Sequence, residues 1–235
     1  EFISPGEVML RVVEDMNGEI WVGTNTGLFV IDNPKTFFDK GIFKQIKVPR
    51  NDGTGLADYL LSGTYIKAMK VDGANRKWVG TNDNGIYLIS ADGLETIHHF
   101  TTENSPLPSD CIESIAINGK SGEVFIGTDK GMASYMSDAT RAEKKLDENN
   151  VYAYPNPVKA DYSGVISIVG LTAGCNVKIV DSAGFLMNEG TSQGGKYNWN
   201  GRNRRGEKVA SGVYYVLTYD SNGDEGVATK ILVTR

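Results

Sequence analysis

Arginine and lysine residues crowd one short stretch near the C-terminal end of the sequence. Arg202, Arg204 and Arg205 are followed by Lys208, and Lys196 precedes them. A guanidinium group presents paired N–H donors that match the oxygens of a phosphate or carboxylate. The stretch from Arg202 to Lys208 is therefore a candidate anion-binding site. The alternative is a solvated loop whose charges keep a sheet edge from pairing with another chain.

No combination of residue types in the sequence predicts a catalytic site. The two histidines, His98 and His99, are adjacent, so in a strand they would point to opposite faces. No histidine, cysteine and carboxylate set has the spacing of a zinc site, and no D-x-[DN]-x-[DN]-G calcium loop occurs. The glycine-rich residues 190–195 lack the lysine and serine of a phosphate-binding loop. We therefore predict a protein that is not an enzyme and that carries no cofactor or metal.

The composition limits the classes of partner. The chain has 235 residues, a formal net charge of −5 and a pI near 5.2, so it lacks the basic character of nucleic-acid-binding proteins. No segment approaches the roughly 20 apolar residues of a transmembrane helix. The first six residues have neither the basic end nor the apolar run of a signal peptide. We expect any export signal to lie upstream.

A phrase that occurs three times indicates the elements that organise the first half of the chain. It reads Gly-Glu-Ile-Trp-Val-Gly-Thr around Trp21, Lys-Trp-Val-Gly-Thr around Trp78 and Gly-Glu-Val-Phe-Ile-Gly-Thr around Phe125. These aromatic residues are 57 and 47 residues apart. A period of about 40–50 residues with turns between short strands is typical of propeller blades. We expect each aromatic ring to pack between neighbouring blades, and each glycine to allow two backbones to approach closely.

The phrase resembles the two-component regulator propeller repeat over about residues 7–136. Repeat two departs from that family by having Lys77 before its tryptophan, and repeat three by having Phe125 in place of tryptophan. The resemblance implies three blades, whereas a closed ring needs about 4–8. We therefore expect residues 1–136 to be a partial propeller and the chain to be the C-terminal piece of a longer protein. Uncovered end blades would favour self-association.

A second module follows a polar, highly charged stretch at residues 137–150. We expect this stretch to be a linker, either solvated or with one or two helical turns. From residue 151 about seven short strand-like runs alternate with turns such as Asn200-Gly201. That pattern predicts an immunoglobulin-like β-sandwich over residues 151–235, with Trp199 as its core anchor. The predicted fold class is thus all-β, with three propeller blades followed by a sandwich.

Several short motifs punctuate the second module. They are Tyr-Pro-Asn-Pro at 154–157, Asp-Ser-Ala-Gly at 181–184, Trp-Asn-Gly at 199–201, Ala-Ser-Gly-Val-Tyr at 210–214 and the final Lys-Ile-Leu-Val-Thr-Arg. Together they resemble the C-terminal sorting domain of proteins carried by the type IX secretion system. The resemblance implies a sorting signal in the last strand, which a translocon would read as an extended edge. The candidate residues of that signal are Lys230, Ile231, Leu232, Val233 and Arg235.

The combination of both modules resembles the PorZ family, the propeller-bearing component of the type IX outer-membrane attachment complex in Bacteroidetes. That resemblance implies a periplasmic or outer-membrane surface location. It also implies binding to a secretion-machinery protein or to anionic lipopolysaccharide, which the Arg202 cluster would meet. Two alternatives stay open. The chain could be the periplasmic carbohydrate-sensing region of a two-component regulator, or the C-terminal part of a secreted enzyme whose catalytic domain lies upstream.

Overall fold

The chain forms two compact units that are built almost wholly from β-strands. The first unit comprises residues 1–118 and 123–136, and the second comprises residues 119–122 and 137–235. Among the described residues only one helix occurs, which has seven residues. The computed structural model describes residues 8–40, 43–50, 52–147, 149–220 and 225–234.

Three antiparallel sheets make up most of the first unit. Its strands are β1 (Met9–Glu14), β2 (Ile20–Thr24), β3 (Leu28–Ile31), β4 (Lys47–Pro49), β5 (Ala57–Tyr59), β6 (Ile66–Val71), β7 (Lys77–Thr81), β8 (Ile86–Ile89), β9 (Thr96–Phe100), β10 (Ile112–Ile117), β11 (Glu123–Thr128) and β12 (Gly131–Met136). The strand orders are β1-β2-β3, β6-β7-β8-β9 and β10-β11-β12. Each sheet therefore carries one copy of the repeated phrase in its second strand.

The three sheets differ at their outer edges. The second sheet has a fourth strand, β9, whereas the third sheet ends at β12 in the described residues. Next to the first sheet the chain instead forms helix α1 (Pro34–Lys40) and the hairpin β4-β5. Lys44 nevertheless pairs with Val30 of β3, because each backbone amide donates to the carbonyl oxygen of the other residue over 2.8 Å. Pro34 suits the first position of the helix because its fixed φ matches the helical value.

Two hydrophobic cores lie between successive sheets, and each contains one tryptophan. Trp21 is 1% exposed and packs with Ile66 and Val79 of the second sheet. Trp78 is fully buried and packs with Ile112 and other residues of the third sheet. Phe125, the third aromatic residue of the repeat, is half-buried and belongs to neither core. It lies on the face of the third sheet that corresponds to the tryptophan faces of the other two.

In each strand that carries a tryptophan, a glycine packs closely against an isoleucine of the next sheet. A Cβ atom on Gly23 would lie 2.5 Å from Cγ2 of Ile66, and one on Gly80 would lie 2.5 Å from Cγ2 of Ile112. Distances this short do not occur between real side chains, so both positions require glycine. A bulge in β6 and another in β10 directly follow these two isoleucines. The same local geometry thus recurs at both sheet-to-sheet contacts.

Lys77, the residue that departs from the repeat, forms a buried ion pair with Asp15 of the preceding repeat. Its Nζ lies 2.8 Å from Oδ2 of Asp15, 2.6 Å from the carbonyl oxygen of Ala91 and 4.3 Å from the centre of the Trp21 ring. Both charged side chains are fully buried. Asn75 also donates to Asp15 over 3.2 Å. Lys77 therefore joins two repeats through an ion pair with Asp15. The pair is tolerated in the interior because both charges are hydrogen-bonded.

The second unit contains two antiparallel sheets that enclose one core. Its strands are β13 (Tyr152–Tyr154), β14 (Ile166–Val169), β15 (Asn176–Val180), β16 (Leu186–Thr191), β17 (Lys196–Trp199), β18 (Gly212–Tyr219) and β19 (Glu225–Val233). The sheets have the orders β13-β14-β17 and β16-β15-β18-β19. Ile166 and Trp199 of the first sheet share the core with Val177, Val216 and Ile231 of the second. Two sheets packed face to face over one core form a sandwich.

The charged segment before the second module differs from the expected solvated linker. Ser137, Ala139 and Thr140 are buried, and Thr140 and Glu143 form isolated parallel bridges with Gly194 and Thr172. No helical turn occurs among the described residues of 137–147. The segment is extended because its backbone pairs with other parts of the second unit, at Gly194 and Thr172. The charged side chains, which suggested solvation, lie on its exposed side.

Candidate functional site

A cavity of about 240 Å³ opens on the surface of the second unit beside the basic loop. Its floor is apolar and consists of buried side chains from several parts of the unit, namely Val158, Ile166, Val209 and Val233. Arg202 and Lys208 contribute its two charged side chains, and none of the described residues that line it is acidic. Tyr162, Ser163 and Asn200 add polar groups. The cavity therefore combines an apolar floor with a positively charged rim.

The two cations of this cavity lie directly opposite each other across a short hairpin. Arg202 and Lys208 form an antiparallel bridge, so their side chains project on the same side. One guanidinium nitrogen of Arg202 donates to the carbonyl oxygen of Gly206 over 2.6 Å. Both side chains are exposed, and no ion pair joins either of them to a described residue. Glu207 precedes Lys208 on the same hairpin, but its carboxylate accepts a hydrogen bond from Asn203 and it does not line the cavity.

The loop that carries these charges is fixed by side-chain hydrogen bonds. The amide of Arg202 donates to Oδ1 of Asn200, and Oδ1 of Asn203 accepts from the amides of Arg205 and Glu207. Val209 donates its amide to Gly201 over 3.0 Å and closes the hairpin. Asn residues stabilise turns in this way because their short side chains reach nearby backbone amides.

Only part of the predicted basic cluster reaches the cavity. Arg204 and Arg205 are exposed on the same loop but do not line it, and Arg204 lies 3.9 Å from Glu189. Lys196 does not belong to the cluster, contrary to expectation. It is 3% exposed, its Nζ donates to the carbonyl oxygen of Ser137, and burial lowers the pKa of its amine. The candidate anion site thus reduces to Arg202 and Lys208.

The residues proposed as a sorting signal divide between the core and the surface. Ile231 and Val233 are buried in the core of the second unit, while Lys230 and Leu232 are exposed. This division follows from the alternation of side chains along β19. Arg235 lies outside the described residues. Of the described residues of this candidate signal, Lys230 and Leu232 are therefore the ones accessible to a partner without unfolding of the strand.

The outer edge of β19, which we expected a translocon to read as an extended edge, is occupied by another part of the second unit. Asn156 donates to the carbonyl oxygen of Lys230 over 2.8 Å and accepts from the amide of Leu232 over 3.0 Å. Val158 donates to Leu232 and accepts from Thr234, over 2.7 and 2.8 Å. The Tyr-Pro-Asn-Pro stretch thus covers the edge, as proteins commonly cover strand edges. The motif could be recognised from the sequence, but its position against β19 could not be predicted from it.

The remaining chemically versatile side chains have local structural contacts. The His99 ring stacks on Tyr87 with 3.9 Å between ring centres, and its Nε2 lies 2.9 Å from the carbonyl oxygen of Asn84. His98 packs against Phe100 and Tyr135. Within the described residues, no group of three or more His, Cys, Asp or Glu side chains is arranged to hold a metal ion. No described helix has the length and apolar character needed to cross a bilayer.

The comparisons with known proteins concern both units. The two-component regulator propeller family model matches residues 3–26, which include the first copy of the phrase. PorZ from Porphyromonas gingivalis, described as an essential surface component of the type-IX secretion system, has 33% sequence identity and a TM-score of 0.64. This match covers 97% of the present chain and 30% of the PorZ chain, so the chain spans less than a third of that structure. The predicted all-β fold class is confirmed.

Two further solved structures come from B. thetaiotaomicron. The extracellular domain of a protein described as a one-component system has 17% identity and a TM-score of 0.39, over 96% of this chain and 31% of its own. The extracellular domain of a protein described as a hybrid two-component system has 15% identity and a TM-score of 0.43, over 97% and 44%. No curated protein sequence matches the chain.

Proposed function

We propose that this chain is part of a non-enzymatic bacterial surface protein that serves the type IX secretion machinery, as PorZ does. The observation that carries the proposal is the 33% identity to PorZ over 97% of this chain, with a TM-score of 0.64. Because the chain spans 30% of PorZ, the remaining part of such a protein would supply the other propeller blades.

The second unit would provide two recognition features of such a protein. Its terminal strand would act as the sorting signal, with Lys230 and Leu232 as the residues that are accessible. Its basic loop would meet a partner protein of the secretion machinery or the anionic lipopolysaccharide of the outer membrane. Exposed guanidinium and ammonium groups that lack an ion-pair partner favour contact with such anionic surfaces. The protein would then reside in the periplasm or on the outer-membrane surface.

Deletion of the gene in its own host tests the proposal. We expect proteins with type IX sorting domains to be lost from the cell surface and restored by an intact copy of the gene. Surface display would be measured by protease accessibility on whole cells, with an outer-membrane protein of another export route as the control. Unchanged display of the type IX cargo in the deletion strain would refute a role in this machinery.

A further inference from the structure

We infer that the cavity beside the basic loop binds a ring-sized molecule that carries one oxyanionic group. The group would be a phosphate monoester or a carboxylate held between Arg202 and Lys208. This inference concerns the same basic loop as the proposed function but does not rest on it, because it assigns a small ligand to the cavity wherever the protein resides. It is carried by the charge arrangement, the size of the cavity and the chemistry of its walls.

The arrangement of Arg202 and Lys208 indicates an anion. Like charges directly opposite each other on paired strands destabilise a sheet. Arg202 and Lys208 belong to no sheet, but they face each other in the same way across an isolated antiparallel bridge, and none of the described residues lining the cavity is acidic. An oxyanion between them would offset the repulsion and accept hydrogen bonds from both cations. The bond from Arg202 to Gly206 orients the guanidinium before a ligand arrives, which reduces the entropy lost on binding.

The size and floor of the cavity indicate the rest of the ligand. A cavity of about 150 Å³ lined by apolar side chains holds one benzene molecule. The present cavity of about 240 Å³ therefore has room for one six-membered ring and a charged substituent. Val158 and Val209, which are 6% and 4% exposed, would contact the ring at the inner end of the cavity. Oδ1 of Asn200 is occupied by the amide of Arg202, so its side-chain nitrogen remains as a donor toward a ligand oxygen.

Titration calorimetry with small probes tests this site in the intact chain. The probes are phenyl phosphate and benzoate, which combine a ring with an oxyanion, inorganic phosphate, which lacks the ring, and benzyl alcohol, which lacks the charge. We expect phenyl phosphate or benzoate to bind with a dissociation constant in the millimolar range or below, and more tightly than either incomplete probe. The stronger of these two probes identifies the oxyanion. Equal affinity for inorganic phosphate would overturn the inference, as would the absence of saturable binding.

A matched pair of double variants locates the binding. Arg202→Gln/Lys208→Gln removes the two charges of the cavity, and Arg204→Gln/Arg205→Gln removes two charges from the same loop outside it. We expect the first to weaken binding at least about tenfold and the second to change it by no more than about twofold. Equal weakening would indicate diffuse attraction and overturn the site. Arg202→Lys/Lys208→Arg keeps both charges and should retain binding, which separates loss of charge from loss of folding.

Discussion

The indole N–H of Trp199 donates a hydrogen bond to the carbonyl oxygen of Arg202, with 2.8 Å between nitrogen and oxygen. Trp199 is fully buried in the core of the second unit, where its ring centre lies 5.5 Å from that of Tyr214. Arg202 is exposed at the rim of the cavity. One side chain therefore links the hydrophobic core to the loop that presents the positive charges.

Replacement of Trp199 should reduce both stability and loop order. Trp199→Ala is expected to cost about 3–5 kcal/mol, because truncation of a buried aromatic side chain leaves a cavity. Trp199→Phe retains a ring but leaves the Arg202 carbonyl without its donor, and we expect a cost of about 1–3 kcal/mol. Urea unfolding of the chain, followed by far-UV circular dichroism, measures both values. A loss under about 1 kcal/mol for the alanine variant would contradict the core role.

The ion pair between Asp15 and Lys77 should affect stability mainly when one partner is lost, because the remaining charge is then buried without a partner. Removing one partner leaves a buried charge without compensation, and we expect Asp15→Asn or Lys77→Met to cost about 3–5 kcal/mol. The double variant should cost clearly less than the two single costs combined, because neither charge remains. Urea unfolding of all four proteins gives the coupling energy. Additive costs would show that the two side chains do not act as a pair.

Acidification should remove the contribution of the same pair. Burial alone would raise the pKa of Asp15, but hydrogen bonds from Lys77, Glu19 and Asn17 outweigh it and hold the pKa below its ordinary 3.8. A carboxyl whose pKa is lower in the folded state stabilises fully above its unfolded pKa and loses this effect as the pH falls through the folded value. We expect the stability difference between the wild type and Asp15→Asn to shrink below about pH 4. A constant difference from pH 7 to acid would contradict this.

The contact between Gly80 and Ile112 should not tolerate even one added methyl group. Gly80→Ala places a carbon 2.5 Å from Cγ2 of Ile112, and overpacking of this kind costs about 1–3 kcal/mol or more. Gly226→Ala is the control, since a Cβ there has no atom within 4 Å. We expect the control to change stability by about 0.5 kcal/mol or less. Equal effects of the two substitutions in thermal unfolding would refute the close-contact role.

Local patterns in the sequence predicted the strands, whereas contacts between residues far apart in the chain could not be predicted from them. The phrase around Trp21 and Trp78 indicated buried strands because each pattern lies within a few residues. The partner of Lys77 lies 62 residues away, so the sequence showed the departure but not the ion pair. Lys196 was grouped with the basic loop on proximity in sequence. Lys196 belongs to β17, and its side chain is buried because the segment around Ser137 covers it and accepts its hydrogen bond.

The candidate cavity illustrates the same limit. Arg202 and Lys208 were identified because they are close in sequence, and the bridge between them keeps them close together in the structure. The floor of the cavity comes from Val158, Ile166 and Val233, which approach each other only when the terminal strand pairs with the stretch after the Tyr-Pro-Asn-Pro motif. No local pattern encodes that pairing. The charge of the site was therefore predictable, and its shape was not.

The last prediction concerns the terminal strand as a sorting signal. Lys230 is exposed, and its Nζ lies 5.6 Å from the centre of the Tyr215 ring, so reversal of its charge should leave the core intact. We expect Lys230→Glu/Arg235→Glu in the full-length protein to change stability by about 0.5 kcal/mol or less. If a translocon reads these residues, the variant should fold normally but accumulate in the periplasm. Cell fractionation and protease accessibility on whole cells measure its location.

A matched variant separates a specific signal from a general effect of charge. Lys144→Glu/Lys145→Glu makes the same change of charge at two exposed positions of the second unit, away from the terminal strand. It should reach the surface as the wild type does. Ile231→Asp is no substitute for the test variant, because Ile231 is buried and its loss would unfold the unit. Normal surface display of Lys230→Glu/Arg235→Glu would refute the sorting role, and the second unit would then act only as a binding module.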